Sequence, residues 1–285
     1  MTRGSSKTAL GVAALRAVHQ VLDADPKILV DAPILQLIGP GAAEHFRFRE
    51  QEFRTRGSLA LRSHVVTRSR FAEDRLAEAV QRGVQQYVIL GAGLDTFGYR
   101  QPEWAHPLRI VEVDQPATQA AKRERMAAVG IAPPSNVAFA PVDFETVALR
   151  DALVENGVDL AAPVFLSWLG VTMYLTEAAV DAVLQTVATF AAGSEIVFTF
   201  SQPGSSGSRV GAGEMEGPSL AELAAEVGEP WLSYFEVPAL EAKLRVFGFS
   251  NVSFLSPDEA YRRYFAGRTD ALPSPRRISI VSAVV

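Results

Sequence analysis

The stretch Gln86-Tyr-Val-Ile-Leu-Gly-Ala-Gly-Leu-Asp-Thr96 decides the fold. Tyr87 to Leu90 form a short uncharged apolar run that stops at glycine, as a strand buried on both faces of a parallel sheet does. The two glycines, Gly91 and Gly93, then let the backbone come close to a ligand where a side chain would collide. The pattern is Gly-x-Gly without the third glycine of a dinucleotide fingerprint, and by itself it also suits a tight strand-to-helix turn.

Working outward, further apolar runs recur at residues 108–113, 137–140, 164–167 and 195–200, with helical stretches at 117–129, 145–155 and 177–191 between them. Strand–helix alternation of this kind builds a doubly wound parallel sheet. Upstream, residues 1–84 read as helical. Val12, Leu15, Val18 and Leu22 recur three or four apart, and residues 58–81 carry Leu61, Val65, Phe71, Leu76 and Val80 on one face before Gly83. Downstream, residues 202–230 are rich in glycine and serine and turn helical only near Leu220; they read as an insertion over the ligand edge, not as a linker. A helix at 240–247 and a strand at 251–255 follow. The alternation in Arg277-Ile-Ser-Ile-Val-Ser-Ala-Val-Val285 suggests a last strand with one solvated side. The expected organisation is an N-terminal helical lid over 1–84 and a sheet domain over 85–285, with residues 202–240 completing the cap.

Composition narrows the functions. Of 285 residues, 48% are hydrophobic and 21% charged, enough apolar matter for a core. A net charge of −5 argues against nucleic acid as the main partner. Cysteine is absent, and the four histidines (His19, His45, His64, His106) have no metal-ligand spacing, so no metal is expected. The uncharged apolar run at residues 164–176 is too short to span a bilayer, and Arg16 interrupts the first apolar stretch; a cytoplasmic protein without a membrane partner is the expectation.

Two carboxylates stand at predicted strand tips, on the edge where open α/β sheets bind ligands. Asp114 comes 21 residues after Gly93 and can accept two hydrogen bonds from a ribose diol; it can equally cap the helix that starts at Pro116. Glu112 lies two residues earlier, but only the tip residue reaches the crevice. Asp143, with Phe144, stands past the third strand, where an adenine amino group would sit against an aromatic ring; Asp143 can also cap a helix from Glu145. A ribose crevice serves hydride transfer from a nicotinamide or methyl transfer from a sulfonium. Asp95, right after the glycine loop, would repel a pyrophosphate but tolerate a sulfonium and an ammonium, so the spacing leans toward methyl transfer.

These segments, with Val111-Glu-Val-Asp-Gln-Pro116, Val142-Asp-Phe144, Ser167-Trp-Leu-Gly-Val-Thr-Met-Tyr-Leu175, Tyr264-Phe-Ala-Gly-Arg268, Ser6-Lys-Thr-Ala9 and Thr67-Arg-Ser-Arg-Phe-Ala-Glu-Asp74, resemble the leucine carboxyl methyltransferase-like family, in its bacterial branch of S-adenosylmethionine-dependent methyltransferases. The resemblance covers nearly the whole chain. It implies an α/β class I methyltransferase fold: a Rossmann-like, mostly parallel sheet of seven strands, the last antiparallel, under a helical lid. It implies S-adenosyl-L-methionine as cofactor, with Gly91, Ala92 and Gly93 beside the methionine moiety, Asp114 on the ribose, and Asp143 and Phe144 on the adenine. It also implies that Arg68 or Arg70 holds the methionine carboxylate, Arg68 being favoured, and that Lys7 closes over the cofactor. In one respect the chain departs from the eukaryotic members: they carry a glutamate after the fourth strand where this chain has Leu169, so neither that contact nor their phosphatase-tail substrate carries over.

A carboxylate acceptor needs no general base, whereas a phenol or alcohol usually does, and no His–Asp pair is evident. An O-methyltransferase acting on a small secondary-metabolite acid or acidic hydroxyl is the resulting expectation. Tyr174 lines the reaction site or belongs to the core. In Phe46-Arg-Phe-Arg49, Arg47 or Arg49 would pair with the acceptor carboxylate, the alternative being a solvated helix face with two buried rings. The rival readings are an NAD-dependent oxidoreductase and a cofactor-binding protein without catalysis.

Overall fold

A computed structural model describes residues 6–145, 149–204 and 220–285. The N-terminal block comprises α1 (Lys7–Leu22), α2 (Ala32–Ile38), α3 (Ala42–Phe48), α4 (Glu50–Phe53) and α5 (Arg56–Gln81). There follow β1 (Gln86–Leu90), β2 (Arg109–Asp114), α6 (Pro116–Ala128), β3 (Val137–Pro141), α7 (Leu149–Glu155), β4 (Phe165–Trp168), α8 (Glu177–Val187) and β5 (Glu195–Thr199). The chain closes with α9 (Leu220–Glu226), α10 (Val237–Phe247), β6 (Asn251–Phe254), α11 (Pro257–Ala260) and β7 (Ile280–Val284). No helix among the described residues is long and apolar enough to cross a membrane.

The seven strands form one sheet in the order β3-β2-β1-β4-β5-β7-β6, with β7 antiparallel to both its neighbours. The order reverses between β1 and β4, which pair in parallel, and the strand tips there diverge into a crevice. Helices α7, α8 and α10 cover one face, packing Leu153, Val180, Leu184, Leu240 and Leu244 into the core that holds Val88 and Leu166. Helix α5 covers the other, with Phe71, Ala72, Leu76 and Ala79 against Tyr87, Ile89 and Phe165. Central strands buried on both faces explain the uninterrupted apolar runs.

Three local expectations are corrected. Strand β7 has no solvated side, because both its faces are packed, Val281 and Ala283 into one core and Ile280 into the other; its polar residue Ser282 is 1% exposed and donates to the buried Glu195 carboxylate at 2.7 Å. Helix α6 is preceded by Gln115 at its N-cap with no side-chain cap bond, so Asp114 does not cap it. Glu145 is a turn residue and not the start of a helix; α7 is described from Leu149, and residues 146–148 lie outside the described residues, as does 205–219 of the insertion.

The N-terminal helices are fastened to the glycine loop by buried charge. Arg16 of α1 reaches Asp31 (2.8 Å from Nε), the Thr96 hydroxyl (2.6 Å) and the Leu94 carbonyl (3.2 Å). Thr96 donates to the other Asp31 oxygen at 2.5 Å, and Arg100 joins Asp31 to Glu73 of α5. Burial alone would raise the Asp31 pKa; Arg16, Arg100 and Thr96 outweigh it and hold the carboxyl below its usual range. Its contribution to stability is therefore present above the ordinary aspartate range and is lost as pH falls through the lowered folded value. Arg16→Ala leaves Asp31, 0% exposed, short of its main counter-charge, and is expected to cost about 3–5 kcal/mol in urea unfolding. Arg49→Ala, which breaks only an exposed pair with Glu52, is expected to stay within about 1 kcal/mol. Equal losses would contradict this account.

Candidate active site

A cavity of about 1620 Å³ opens at the C-terminal tips of β1, β2, β4 and β5. Its floor is the glycine loop. The Gly91 and Ala92 N–H groups both donate to the Val113 carbonyl, at 2.7 and 3.1 Å, so the chain turns sharply as it leaves β1. The Asp114 carboxylate accepts from the Gly93 N–H at 2.5 Å and from the Gln115 N–H at 2.7 Å, which ties the β2 tip to the loop. A carboxylate has about four lone-pair sites, so two backbone donors leave room for a ligand. Burial pushes the Asp114 pKa up, with the Gly93 and Gln115 N–H groups opposing it. Glu112 stays out of the cavity: it is 0% exposed and pairs with Lys122 at 2.5 Å.

Arg68 supplies the decisive charge. It projects from α5 into the cavity wall and is 8% exposed. Its guanidinium makes no hydrogen bond or ion pair with any described residue, and Nε is sealed from solvent without a partner. A Cβ on Gly170 would stand 2.6 Å from Nη1, so the guanidinium fills the space that a side chain after β4 would need. Burial pushes the Arg68 pKa down to about 10; Arg16 adds to this, while Tyr174 and Asp95 oppose it. The group is still a cation at neutral pH. One helical turn earlier, His64 also lines the cavity, and burial together with Arg68 pushes it down to about 3. His64 is therefore a neutral imidazole at physiological pH and a poor proton acceptor.

The other expected residues divide. Ala92, Gly93, Asp95, Phe144, Leu169, Tyr174 and Lys7 all line the cavity, Lys7 at the exposed mouth. The Phe144 ring leans on Trp168, with centroids 5.9 Å apart. Asp143 stands beside Phe144 but is not a wall residue; its carboxylate accepts the Glu145 N–H at 3.1 Å. Arg70 points away from the cavity: it is exposed and pairs with Asp74 at 2.7 Å. The helical period explains why, since two residues on a helix place neighbouring arginines on different faces. Arg47 and Arg49 are corrected as well. Both are exposed and neither lines the cavity, and of the two rings beside them only Phe46 is buried, Phe48 being 91% exposed. Sequence reasoning missed His64, Trp231 and Glu229. The spacing of His64 four residues before Arg68 could have found the first. The other two sit in the insertion, where no periodicity marks an inward face. Among the described residues no group of three metal-capable side chains occurs.

A family described as leucine carboxyl methyltransferase matches residues 9–188. The chain belongs to this family. A protein of Bacillus subtilis (strain 168), "Putative S-adenosyl-L-methionine-dependent methyltransferase YktD", is 32% identical over 220 residues, covering 77% of this chain and 71% of its own. A relative from Mycobacterium marinum (strain ATCC BAA-535 / M), described in the same words apart from the final name, is 32% identical over 240 residues, with 79% and 72% covered. The crystal structure of a DUF574 family protein from Streptomyces avermitilis MA-4680 shares the fold, with a TM-score of 0.57 at 16% identity over 99% of this chain and 98% of that one. The chain is thus a methyltransferase, and the nicotinamide-dependent and non-catalytic readings fall.

Family membership does not by itself explain Gly91. Ligand space was the expected reason for a glycine there, yet a Cβ would meet Val171 Cγ2 at 2.3 Å, and φ is +64°. The constraint is the protein's own β4 loop. Gly91→Ala is expected to cost about 1–3 kcal/mol of stability, and adding Val171→Ala should recover part of the loss in a double-mutant cycle. Strict additivity of the two changes would show that this contact is not the cause.

Proposed function

We propose that the chain is an S-adenosylmethionine-dependent O-methyltransferase whose acceptor is the carboxylate of a small secondary-metabolite acid. The observation that carries the cofactor half is the buried guanidinium of Arg68, which has no counter-ion among the described residues and lines the same cavity as the glycine loop. A zwitterionic amino-acid moiety fits the charges there: Arg68 takes its carboxylate and Asp95 its ammonium. Asp114 accepts from the ribose diol through its remaining lone pairs, and Phe144 packs on the adenine with Asp143 beside it. Gly91, Ala92 and Gly93 line the path between them, and Lys7 stands at the mouth. Residues 85–285 carry these strand tips, while the 1–84 block and the 202–240 insertion supply the cap.

Bound S-adenosylmethionine supplies a methyl group already activated by positive sulfur. What remains for the chain is to align the acceptor in line with that group and to keep water out. The rest of the cavity suits this: Leu61, Met173, Phe200 and Trp231 offer apolar surface, and Arg276 and Arg277 lie along its wall. The acids that line the cavity among the described residues, Asp95, Asp114 and Glu229, lie on the glycine loop, the β2 tip and the α1 side, so they do not oppose an anionic acceptor beside the arginines. His64, held neutral far below its usual range, does not serve as a base at pH 7, and a carboxylate needs none. Tyr174, which also lines the cavity, can orient an acceptor oxygen.

Labelled methyl from S-adenosylmethionine, offered with panels of aliphatic and aromatic acids and phenols, is expected to enter the acids. The product should release methanol in mild alkali, as an ester does, and the rate should be level between about pH 6 and 8. Alkali-stable label, or a rate that climbs with an acceptor pKa, would replace the carboxylate reading with a hydroxyl one.

A further inference from the structure

Two chain segments far apart in sequence meet over the mouth of the cavity. One is the first turn of α1, where Ser6, Lys7, Thr8 and Ala9 line the cavity; the other is residues 223–232 of the insertion. A single side chain joins them. The Glu229 carboxylate accepts the Lys7 N–H at 2.8 Å on one oxygen, and the Ser6 hydroxyl at 3.2 Å and the Thr8 hydroxyl on the other. All three contacts span more than 220 residues of sequence. The carboxylate therefore sits at the positive end of a 16-residue helix, where free N–H groups and the helix dipole both favour an anion.

Among the described residues, each segment has a firm hold on its far side. Helix α1 is anchored through Arg16, more than two turns beyond the clasped end. The insertion is anchored just after Glu229, where the Leu232 N–H donates to the Met173 carbonyl at 2.6 Å and the Ser233 hydroxyl to the Thr172 carbonyl at 2.8 Å. Besides Glu229, the bond from the Ser6 N–H to the Thr118 hydroxyl at 3.2 Å restrains the first turn.

We infer that Glu229 is a clasp that joins the N-terminal turn and the insertion into one roof, and that the roof must unclasp each time cofactor and spent product exchange. The inference rests on the cofactor reading above, and it makes the two halves of the roof open together. Glu229 touches neither ligand in this account; it is a positioning residue that controls passage.

The test compares Glu229→Ala and Glu229→Gln with the wild type, using S-adenosylhomocysteine as probe. Stopped-flow displacement should show its release accelerated about tenfold or more in Glu229→Ala, the scale of losing one charge-assisted hydrogen bond, with Glu229→Gln in between. Entry should accelerate too, so the equilibrium affinity moves less than either rate. In the ligand-free protein, hydrogen exchange should quicken together in peptides covering 7–12 and 223–232 while the sheet keeps its protection. An unchanged release rate overturns the inference, and so does exchange that quickens in only one of the two segments. If the wild type binds no S-adenosylhomocysteine, the cofactor reading falls, and the paired exchange still decides whether the clasp exists.

Discussion

A buried guanidinium that no described residue pairs is the constraint around which this molecule is arranged. Removing a charge from water is costly in a low-dielectric interior, and an unpaired one is among the most expensive things a core can hold. Arg68 is nonetheless 8% exposed and unpaired among the described residues. Its surroundings are adapted to it: Gly170 has no side chain because the guanidinium lies where one would be, and His64 is driven neutral beside it. Such a site is strained when empty and relieved by an anion. That is the electrostatic form of preorganisation, in which the folding energy of the whole domain holds a group ready for a ligand.

The rest of the fold supplies the rigidity this requires. Helix α5 carries Arg68 and cannot drift, because Arg75 on a later turn and Arg82 at its C-cap grip Glu195 of β5 at 2.7 and 2.6 Å. Glu195 in turn accepts from Ser282 of β7, so the helix is bound to the centre of the sheet. On the other side, the Arg16–Asp31–Thr96 network fixes α1 and α2 to the loop that follows the glycines. A further buried cluster, Arg62 on Asp23 at 2.8 Å with His19 at 2.7 Å, joins α5 to the end of α1. The cavity is therefore walled by elements whose mutual positions are set by buried charge pairs, with the apolar core beneath them.

Much of this was legible in the sequence. The apolar runs gave the strands because both faces of the central sheet are covered, and Gly91-Ala92-Gly93 with Asp114 marked the switch point because ligand crevices form only where strand order reverses. Arg68 and Lys7 both line the cavity, the first buried in its wall and the second exposed at its mouth. What failed did so for identifiable reasons. Arg47 sits on, and Arg49 caps, a short helix whose seven residues carry too little periodicity to tell inside from outside. The alternation before Val285 suggested a solvated face, but the serine at the polar position pairs with a buried glutamate instead. Gly91 lines the cavity, and the Val171 side chain also stands where its Cβ would be. Glu229 was invisible because its meaning lies in a contact with residues more than 220 positions away.

The central claim, that Arg68 is held unpaired for an anionic ligand, has a direct measurement: thermal unfolding of Arg68→Met with and without saturating S-adenosylhomocysteine. Without ligand, removing an unpaired buried charge should make the variant more stable than the wild type, on a scale of roughly 1–4 kcal/mol. With ligand, the wild type should gain stability by mass action and the variant should gain almost nothing. A variant that melts lower than the wild type when empty, yet rises as far when S-adenosylhomocysteine is added, would show that Arg68 serves the fold and not the ligand.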